Sequence, residues 1–156
     1  MNRLLAAGLT AAAVLWAVLI VAAPVALRSG TALRPVSVLY ASSTRICHQR
    51  PERSFSIAGL QMPVCARCSG LYISAAFGTL LAWPRRRRTT NVPRVLLLAA
   101  ALPTAITFAL EATGAMRFSN VMRALAALPL GACAGWLFVQ MLRYDPRLDG
   151  DKNTDR

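Results

Sequence analysis

Charge is scarce in this chain, and negative charge most of all. Only 15% of its 156 residues are charged and only six are acidic, whereas a soluble domain has about 25% charged residues. The sequence has a single histidine, no pair of carboxylates placed for acid–base catalysis, no serine-centred triad and no phosphate-binding glycine loop. These absences exclude the common soluble hydrolases and kinases.

Apolar residues are abundant instead. They make up 56% of the chain, and its mean hydropathy is +0.46. The formal net charge of +12 would fit a nucleic-acid-binding protein, but the cations stand in short clusters between apolar runs of roughly 20 residues. A helix of that length crosses the hydrocarbon core of a bilayer. We therefore predict an integral membrane protein whose partner is the lipid bilayer and not nucleic acid.

Four apolar runs predict an all-α, polytopic membrane protein built as a bundle of four transmembrane helices. We expect one membrane domain, residues 1–142, and a disordered cytoplasmic tail, 143–156, which holds four of the six acidic residues. The first run is about twice as long as the apolar part of a signal peptide and is predicted to remain as an anchor, with cleavage near Ala23 as the alternative. The predicted spans are 4–27, 64–83, 92–115 and 121–142.

Loops on the two sides of the predicted membrane differ in their arginine and lysine content. Cytoplasmic loops carry the excess of these residues. The side of the termini has ten, namely Arg3, Arg85 to Arg88, Arg94, Arg143, Arg147, Lys152 and Arg156. The other side has seven, namely Arg28, Arg34, Arg45, Arg50, Arg53, Arg117 and Arg123. We therefore predict a multi-pass cell-membrane protein with both termini in the cytoplasm and the outer loop, 28–63, on the extracytoplasmic side.

The outer loop carries a helical pattern and most of the reactive side chains. Apolar and small residues recur at intervals of three and four from Val36 to Cys47, which predicts a short interfacial helix begun by Pro35 and ended before Pro51. Three of the four cysteines and the only histidine lie within 22 residues, at Cys47, His48, Cys65 and Cys68. Cys133, in the fourth span, is predicted to be a buried small residue.

The third and fourth spans carry polar residues near the same end of the bundle. Glu111 shares a helix face with Thr104 and Thr107, and Arg123 lies one turn into the fourth span. A carboxylate inside a span is costly unless it is paired or functional, so we predict a Glu111–Arg123 ion pair. Two stripes of small residues predict where helices pack, namely Gly70, Ser74 and Gly78 on the second span and Ala127, Gly131 and Gly135 on the fourth.

Two segments resemble a family of small bacterial and archaeal membrane proteins classed as a domain of unknown function. The segment from Cys47 to Phe55 fits the pattern CHQ-x-P-x-RSF, and the segment from Cys65 to Tyr72 fits C-x-R-C-x-G-x-Y. Ser74 stands where the family has a glycine. Weaker similarity extends through Glu111, Ser119, Asn120 and Arg123. The resemblance implies a four-helix membrane topology and a cysteine-rich outer site, and it implies no established activity.

The cysteine cluster is typical of a site for zinc or another thiophilic transition metal. Tetrahedral zinc sites are built from cysteine thiolates and histidine imidazoles, and we predict the ligands Cys47, His48, Cys65 and Cys68. Neighbouring side chains on a helix diverge by about 100°, so Cys47 and His48 can share one ion only if the chain unwinds there; otherwise Glu111 or water is the fourth ligand. The supporting polar residues are predicted to be Gln49, Arg53, Arg67, Tyr72, Glu111 and Arg123.

Two other interpretations of the same residues stay open. Cys65 and Cys68, at a helix N-terminus beside Arg67, also fit the catalytic pair of a membrane thiol–disulfide redox protein that passes electrons to a quinone or a partner protein. A disulfide from Cys47 to either of them would instead pin the loop of a structural or transport-related subunit, acting as a homo-oligomer or with a membrane partner. The residues alone do not decide whether the protein is an enzyme.

Overall fold

The computed structural model describes residues 2–30, 33–84 and 93–143, and this part of the chain is mostly helical. The helices are α1 (Asn2–Ser29), α2 (Leu33–Ser43), α3 (Ala66–Leu81), α4 (Pro93–Ala112) and α5 (Asn120–Arg143). Between α2 and α3 lie a 3-10 turn (Pro51–Arg53) and two strands, β1 (Ser54–Ile57) and β2 (Leu60–Cys65). The predicted loop Arg85 to Arg88 and the predicted tail beyond Arg143 lie outside the described residues.

Three of the described helices are long and apolar enough to cross a membrane. They comprise Arg3–Ser29, Val95–Ala112 and Asn120–Arg143, and they correspond to the first, third and fourth apolar runs. Helix α3 has 16 residues, about 24 Å of helix, because strand β2 takes up Val64 and Cys65 at the start of the predicted second span. Arg143, predicted as the first residue of the tail, is the last residue of α5.

The long helices alternate in direction. Ala6, near the start of α1, packs against Ala82, just after α3, and Val139, near the end of α5. The indole N–H of Trp83 donates to the Thr10 hydroxyl at this same end, at 3.0 Å. Ile20 lies further along α1 and packs beside Cys47, near the start of α3. The start of α1 and the end of α5 therefore share one end of the bundle, and the cysteine cluster lies at the opposite end.

Helices α3 and α5 run parallel and pack through the two predicted stripes of small residues. A Cβ atom added at Gly70 would collide with the carbonyl of Ala124, and one added at Gly78 would collide with that of Ala132. The reverse contact is equally close, because a Cβ at Gly131 would meet the carbonyl of Leu71. Only glycine allows backbones to approach so closely, so these stripes set the distance between the two helices.

The outer loop contains a β-hairpin that the all-α prediction missed. Strands β1 and β2 are antiparallel, and the two residues that join them, Ala58 and Gly59, have positive φ angles of 54° and 81°. Two-residue turns with positive φ match the twist of a hairpin, and glycine adopts this conformation without strain. The Arg28 guanidinium donates to the Ala58 carbonyl at 2.9 Å and so holds the turn against the end of α1.

Helix α2 differs from the predicted interfacial helix at both ends. It begins at Leu33, which places Pro35 inside the first turn, and it ends at Ser43. The backbone N–H of Cys47 donates to the Ser43 carbonyl at 2.9 Å, so the chain makes one terminal turn after α2 and then leaves the helical path. Cys47 is buried as expected, but it lies beyond the helix and not on its apolar face.

The glycine contacts predict a sharp difference between two conservative substitutions. Gly78→Ala should destabilise the protein by about 1–3 kcal/mol, because overpacking forces α3 away from the Ala132 carbonyl. Gly8→Ala is the matched control, since nothing lies within 4 Å of its added Cβ, and it should be neutral or stabilising by up to about 1 kcal/mol. Thermal unfolding in detergent, followed by helical circular dichroism, measures both. Equal unfolding midpoints for the two variants would contradict the packing.

Candidate metal centre

Three thiols converge at the end of the bundle opposite the termini. Cys47 follows α2, Cys65 ends β2 and is the residue before α3, and Cys68 lies in the first turn of α3. The sulfur atoms of these three residues all lie within 4.8 Å of one another, and all four cysteines of the chain are free thiols. Cys47 is buried, whereas Cys65 and Cys68 are half-buried and face a cavity.

Gln49 fixes the segment that carries Cys47. Its side-chain amide donates to the carbonyls of Tyr40, at 2.9 Å, and Pro63, at 2.7 Å. The backbone carbonyl of Gln49 accepts from the Gln61 side-chain amide at 2.6 Å. Gln49 also has a positive φ of 47°, a conformation that persists only when the surroundings determine it. These hydrogen bonds join α2, the loop and β2, so Gln49 positions Cys47 through the backbone and does not face the thiols.

An apolar wall closes the other side of the cluster. Cys47 packs with the buried side chains of Ile20, Met62 and Val64. Tyr72 packs against the same group, and its ring meets that of Trp16 edge to face at a centroid distance of 5.9 Å. These contacts give Tyr72 a packing role beside the cluster.

The three thiols interact with one another. The backbone N–H of Cys65 donates to the Cys47 sulfur at 3.1 Å. At the end of β2, a hydrogen bond from the Cys68 thiol lowers the pKa of Cys65 to about 5, against the opposing effect of burial. Backbone N–H groups of the first turn of α3 and the Cys47 thiol lower this pKa further. The lowered pKa favours the thiolate form of Cys65, the form that binds metals and attacks disulfides.

His48 lies beside the thiols but not among them. Its side chain is exposed and lines the same cavity, whereas the group of ligand atoms within 4.8 Å contains only the three sulfurs. Residues 47–50 are not helical, so the unwinding that a shared ion would require is present. Glu111, the other predicted fourth ligand, also lies outside the group of sulfurs.

The predicted Glu111–Arg123 ion pair is present, and a third residue joins it. Arg123 Nε lies 2.7 Å from Glu111 Oε1, and Arg67 Nη2 lies 3.1 Å from Glu111 Oε2. The Glu111 side chain is only 6% exposed. Arg67 was expected to favour the thiolates of its cysteine neighbours, but its guanidinium turns towards α4 and lies over the Phe108 ring. Its position inside a predicted span, where it had no assigned partner, is the sequence signal that could have identified the pairing with Glu111.

Further hydrogen bonds tie this ion-pair triad to the hairpin. Arg123 Nη1 donates to the Asn120 side-chain oxygen at 2.7 Å and to the Glu52 carbonyl at 3.4 Å. The Asn120 amide donates to the Ser54 carbonyl at 2.9 Å. Ser119 precedes α5 and caps it, since its hydroxyl accepts from the backbone N–H of Met122 at 3.3 Å. One connected set of polar groups therefore links α3, α4, α5 and the segment that precedes β2.

A cavity of about 360 Å³ opens beside the cluster. Its charged and sulfur-bearing lining residues are Cys47, His48, Arg50, Arg53, Cys65, Arg67, Cys68 and Arg123. Among the predicted supporting residues, Arg53, Arg67 and Arg123 line this cavity, whereas Glu111 lies behind two of the arginines. Cys133 is half-buried, not fully buried as predicted, and lines a separate groove with Gly78 and Trp136.

Comparison with protein families identifies the same region of the chain. Residues 47–137 match the model of the family described as "Predicted membrane protein (DUF2085)". The chain belongs to this family. The match begins at Cys47 and includes the three clustered cysteines and the ion-pair triad, in agreement with the resemblance drawn from the two cysteine segments.

Two archaeal relatives show similarity over this region. One, described as an uncharacterized protein of Methanothermobacter thermautotrophicus, is 37% identical over 86 residues, which cover 55% of this chain and 78% of that protein. The other, uncharacterized protein MJ1492 of Methanocaldococcus jannaschii, is 33% identical over 95 residues, 60% of this chain and 61% of that protein. No solved structure shows significant similarity to the chain.

The triad predicts unequal effects of removing its members. Glu111→Gln should cost about 3–5 kcal/mol, because it leaves two arginines without their shared carboxylate. Arg67→Gln should cost less, because the shorter Arg123–Glu111 pair remains. Denaturant unfolding in detergent measures these free energies, with the exposed Arg117→Gln as a control for lost charge.

The double variant of Glu111 and Arg123 should lose less stability than the sum of the two single losses; simple additivity would refute the coupling.

Proposed function

We propose that this membrane protein binds one thiophilic metal ion, such as zinc, through the thiolates of Cys47, Cys65 and Cys68. The observation that carries the proposal is the convergence of three sulfurs within 4.8 Å from three separate segments of the chain. Zinc–sulfur bonds of about 2.3 Å place the sulfurs of a tetrahedral site roughly 3.8 Å apart. The thiols therefore need at most about 1 Å of closure to bind an ion.

His48 is the proposed fourth ligand. It lines the cavity into which Cys65 and Cys68 also open, and its exposed side chain is free of packing constraints. The non-helical backbone after Cys47 supports this role, because a rotation of His48 does not have to break a helix. Water is the alternative ligand, and in that case the ion would keep an open coordination position of the kind found in catalytic zinc sites.

In the proposed topology, this site lies on the extracytoplasmic side of the cell membrane. Helix α3 is the proposed fourth crossing, because it packs closely along α5, which is long enough to span. The start of α1 and the end of α5 share one end of the bundle, which supports both termini on the same side of a single membrane domain over residues 1–142. The excess of arginine and lysine on that side favours the cytoplasm. Helix α2 would then lie at the extracytoplasmic interface.

A second candidate function is thiol–disulfide exchange at Cys65 and Cys68. The observation that favours it is the proximity of their sulfurs, which lie within 4.8 Å of one another at the start of α3, together with the lowered pKa of Cys65. Oxidation of the Cys65 thiolate and the Cys68 thiol to a disulfide would pass two electrons and one proton to a quinone or to the disulfide of a partner protein, and the acceptor would take its second proton from water. A purely structural disulfide from Cys47 has less support, because Gln49 already holds that loop with three hydrogen bonds.

Metal analysis distinguishes these functions. Purified protein should carry close to one metal ion per chain, and Cys65→Ser should abolish binding because two thiolates and one imidazole bind far more weakly. His48→Ala should weaken binding without abolishing it. Cys133→Ser is the matched control and should leave the metal content unchanged, since Cys133 lines a different groove.

The redox alternative predicts the opposite outcome. Metal-free protein in which Cys65 and Cys68 are reversibly oxidised would reject the metal proposal and support thiol–disulfide exchange. Mass spectrometry of the alkylated protein, before and after reduction, counts the free thiols on the same sample.

The proposed orientation is tested by labelling intact cells with a membrane-impermeant thiol reagent. A cysteine introduced by Thr31→Cys should react, whereas one introduced by Thr89→Cys should react only after the cells are permeabilised, because Arg85 to Arg88 favour a cytoplasmic loop. Mass spectrometry of the labelled peptides separates these sites from the native cysteines. Labelling of Thr89→Cys alone would reverse the orientation.

A further inference from the structure

The cavity beside the thiols is unusually rich in positive charge. Arg50, Arg53, Arg67 and Arg123 line it together with the three sulfurs, and no carboxylate is among its lining residues in the described part of the chain. Its volume of about 360 Å³ lies within the range of about 300–1,000 Å³ that is typical of small-molecule sites.

The positive charge exceeds what the neighbouring groups neutralise. Glu111 pairs with two of the arginines from outside the cavity, and within the described residues Arg50 and Arg53 form no ion pair. Three thiolates around a divalent ion carry one net negative charge. The four arginines carry four positive charges, and the metal–thiolate centre and Glu111 together carry two negative charges. Two formal positive charges therefore remain, so a metal ion at the thiols does not by itself explain the arginines.

Two of these arginines are held by protein and do not reach out to solvent. The Arg67 side chain is 19% exposed and that of Arg123 is 11% exposed. Arg67 Nε is buried and has no hydrogen-bond partner in the described structure. Buried donors are nearly always paired, so an unpartnered donor on an arginine that lines the cavity favours a ligand there. A guanidinium presents its N–H groups in a planar fork that matches the oxygens of phosphate.

We propose that this cavity binds a phosphate group, with Arg50 and Arg53 as the main contacts and Arg67 as a buried donor. A ligand held there would lie against Cys65 and Cys68, which line the same cavity. The phosphate belongs either to a small soluble molecule or to the headgroup of a lipid, since both present the same oxygens. The inference does not depend on the metal proposal, because the arginines are positioned by Glu111 and by the loop.

Titration with inorganic phosphate tests the soluble form of this ligand. Protein in an uncharged detergent should bind phosphate at constant ionic strength set with chloride, as measured by calorimetry. Arg53→Gln and Arg50→Gln should each weaken the affinity about tenfold, the effect expected for losing one charged hydrogen-bond donor. Arg34→Gln is the control, because this arginine is exposed on α2 and does not line the cavity.

Lipid retention tests the membrane form. Native mass spectrometry of protein released from phosphatidylcholine vesicles containing phosphatidylglycerol should show a bound anionic lipid, which Arg53→Gln removes and Arg34→Gln retains. Phosphate binding without lipid retention assigns a soluble ligand, and the reverse assigns a headgroup. Failure of both, or equal losses from Arg53→Gln and Arg34→Gln, overturns the proposal. Phosphate binding that persists in metal-free Cys65→Ser protein would show that the phosphate site does not need the metal, whereas absence of metal from the unmodified protein would reject the metal proposal alone.

Discussion

The arrangement of this protein depends on one buried carboxylate. Glu111 binds Arg67 on α3 and Arg123 on α5, and each of these charges would be costly in the bundle without the others. Arg67 stands between Cys65 and Cys68, so its ion pair with Glu111 connects the first turn of α3 to α4. The same contact therefore links the helix that carries Cys68 to the rest of the bundle beside the cavity.

The third thiol depends on a different kind of constraint. Cys47 belongs to an irregular loop, where no helix determines the direction of its side chain. The hydrogen bonds of Gln49 position the loop instead, because they join it to α2 and β2. The hairpin then returns the chain so that Cys65 meets the Cys47 sulfur. The site is thus assembled from a loop, a strand end and a helix start, which these hydrogen bonds join.

Sequence reasoning recovered the features that rest on composition and on charge pairing. The long apolar helices, the glycine stripes and the Glu111–Arg123 pair followed from hydropathy, small-residue spacing and the cost of a buried charge. The hairpin was missed because its turn is Ala58-Gly59 and lacks the asparagine or aspartate that marks such turns. The pairing of Arg67 with Glu111 was not predicted because proximity along the chain pointed to its cysteine neighbours, whereas this partner lies on another helix.

The charge of the thiol cluster connects the functions considered for this site. With Cys65 and Cys68 joined in a disulfide, the four arginines and Glu111 leave three formal positive charges at the cavity. A metal bound by three thiolates would lower that excess to two. The cavity would therefore remain positive in each of the proposed states, and its electrostatic field would favour an anion near the sulfurs in all of them. The cysteines determine the chemistry of the cluster, whereas the arginines determine the charge of the ligand that the cavity would bind.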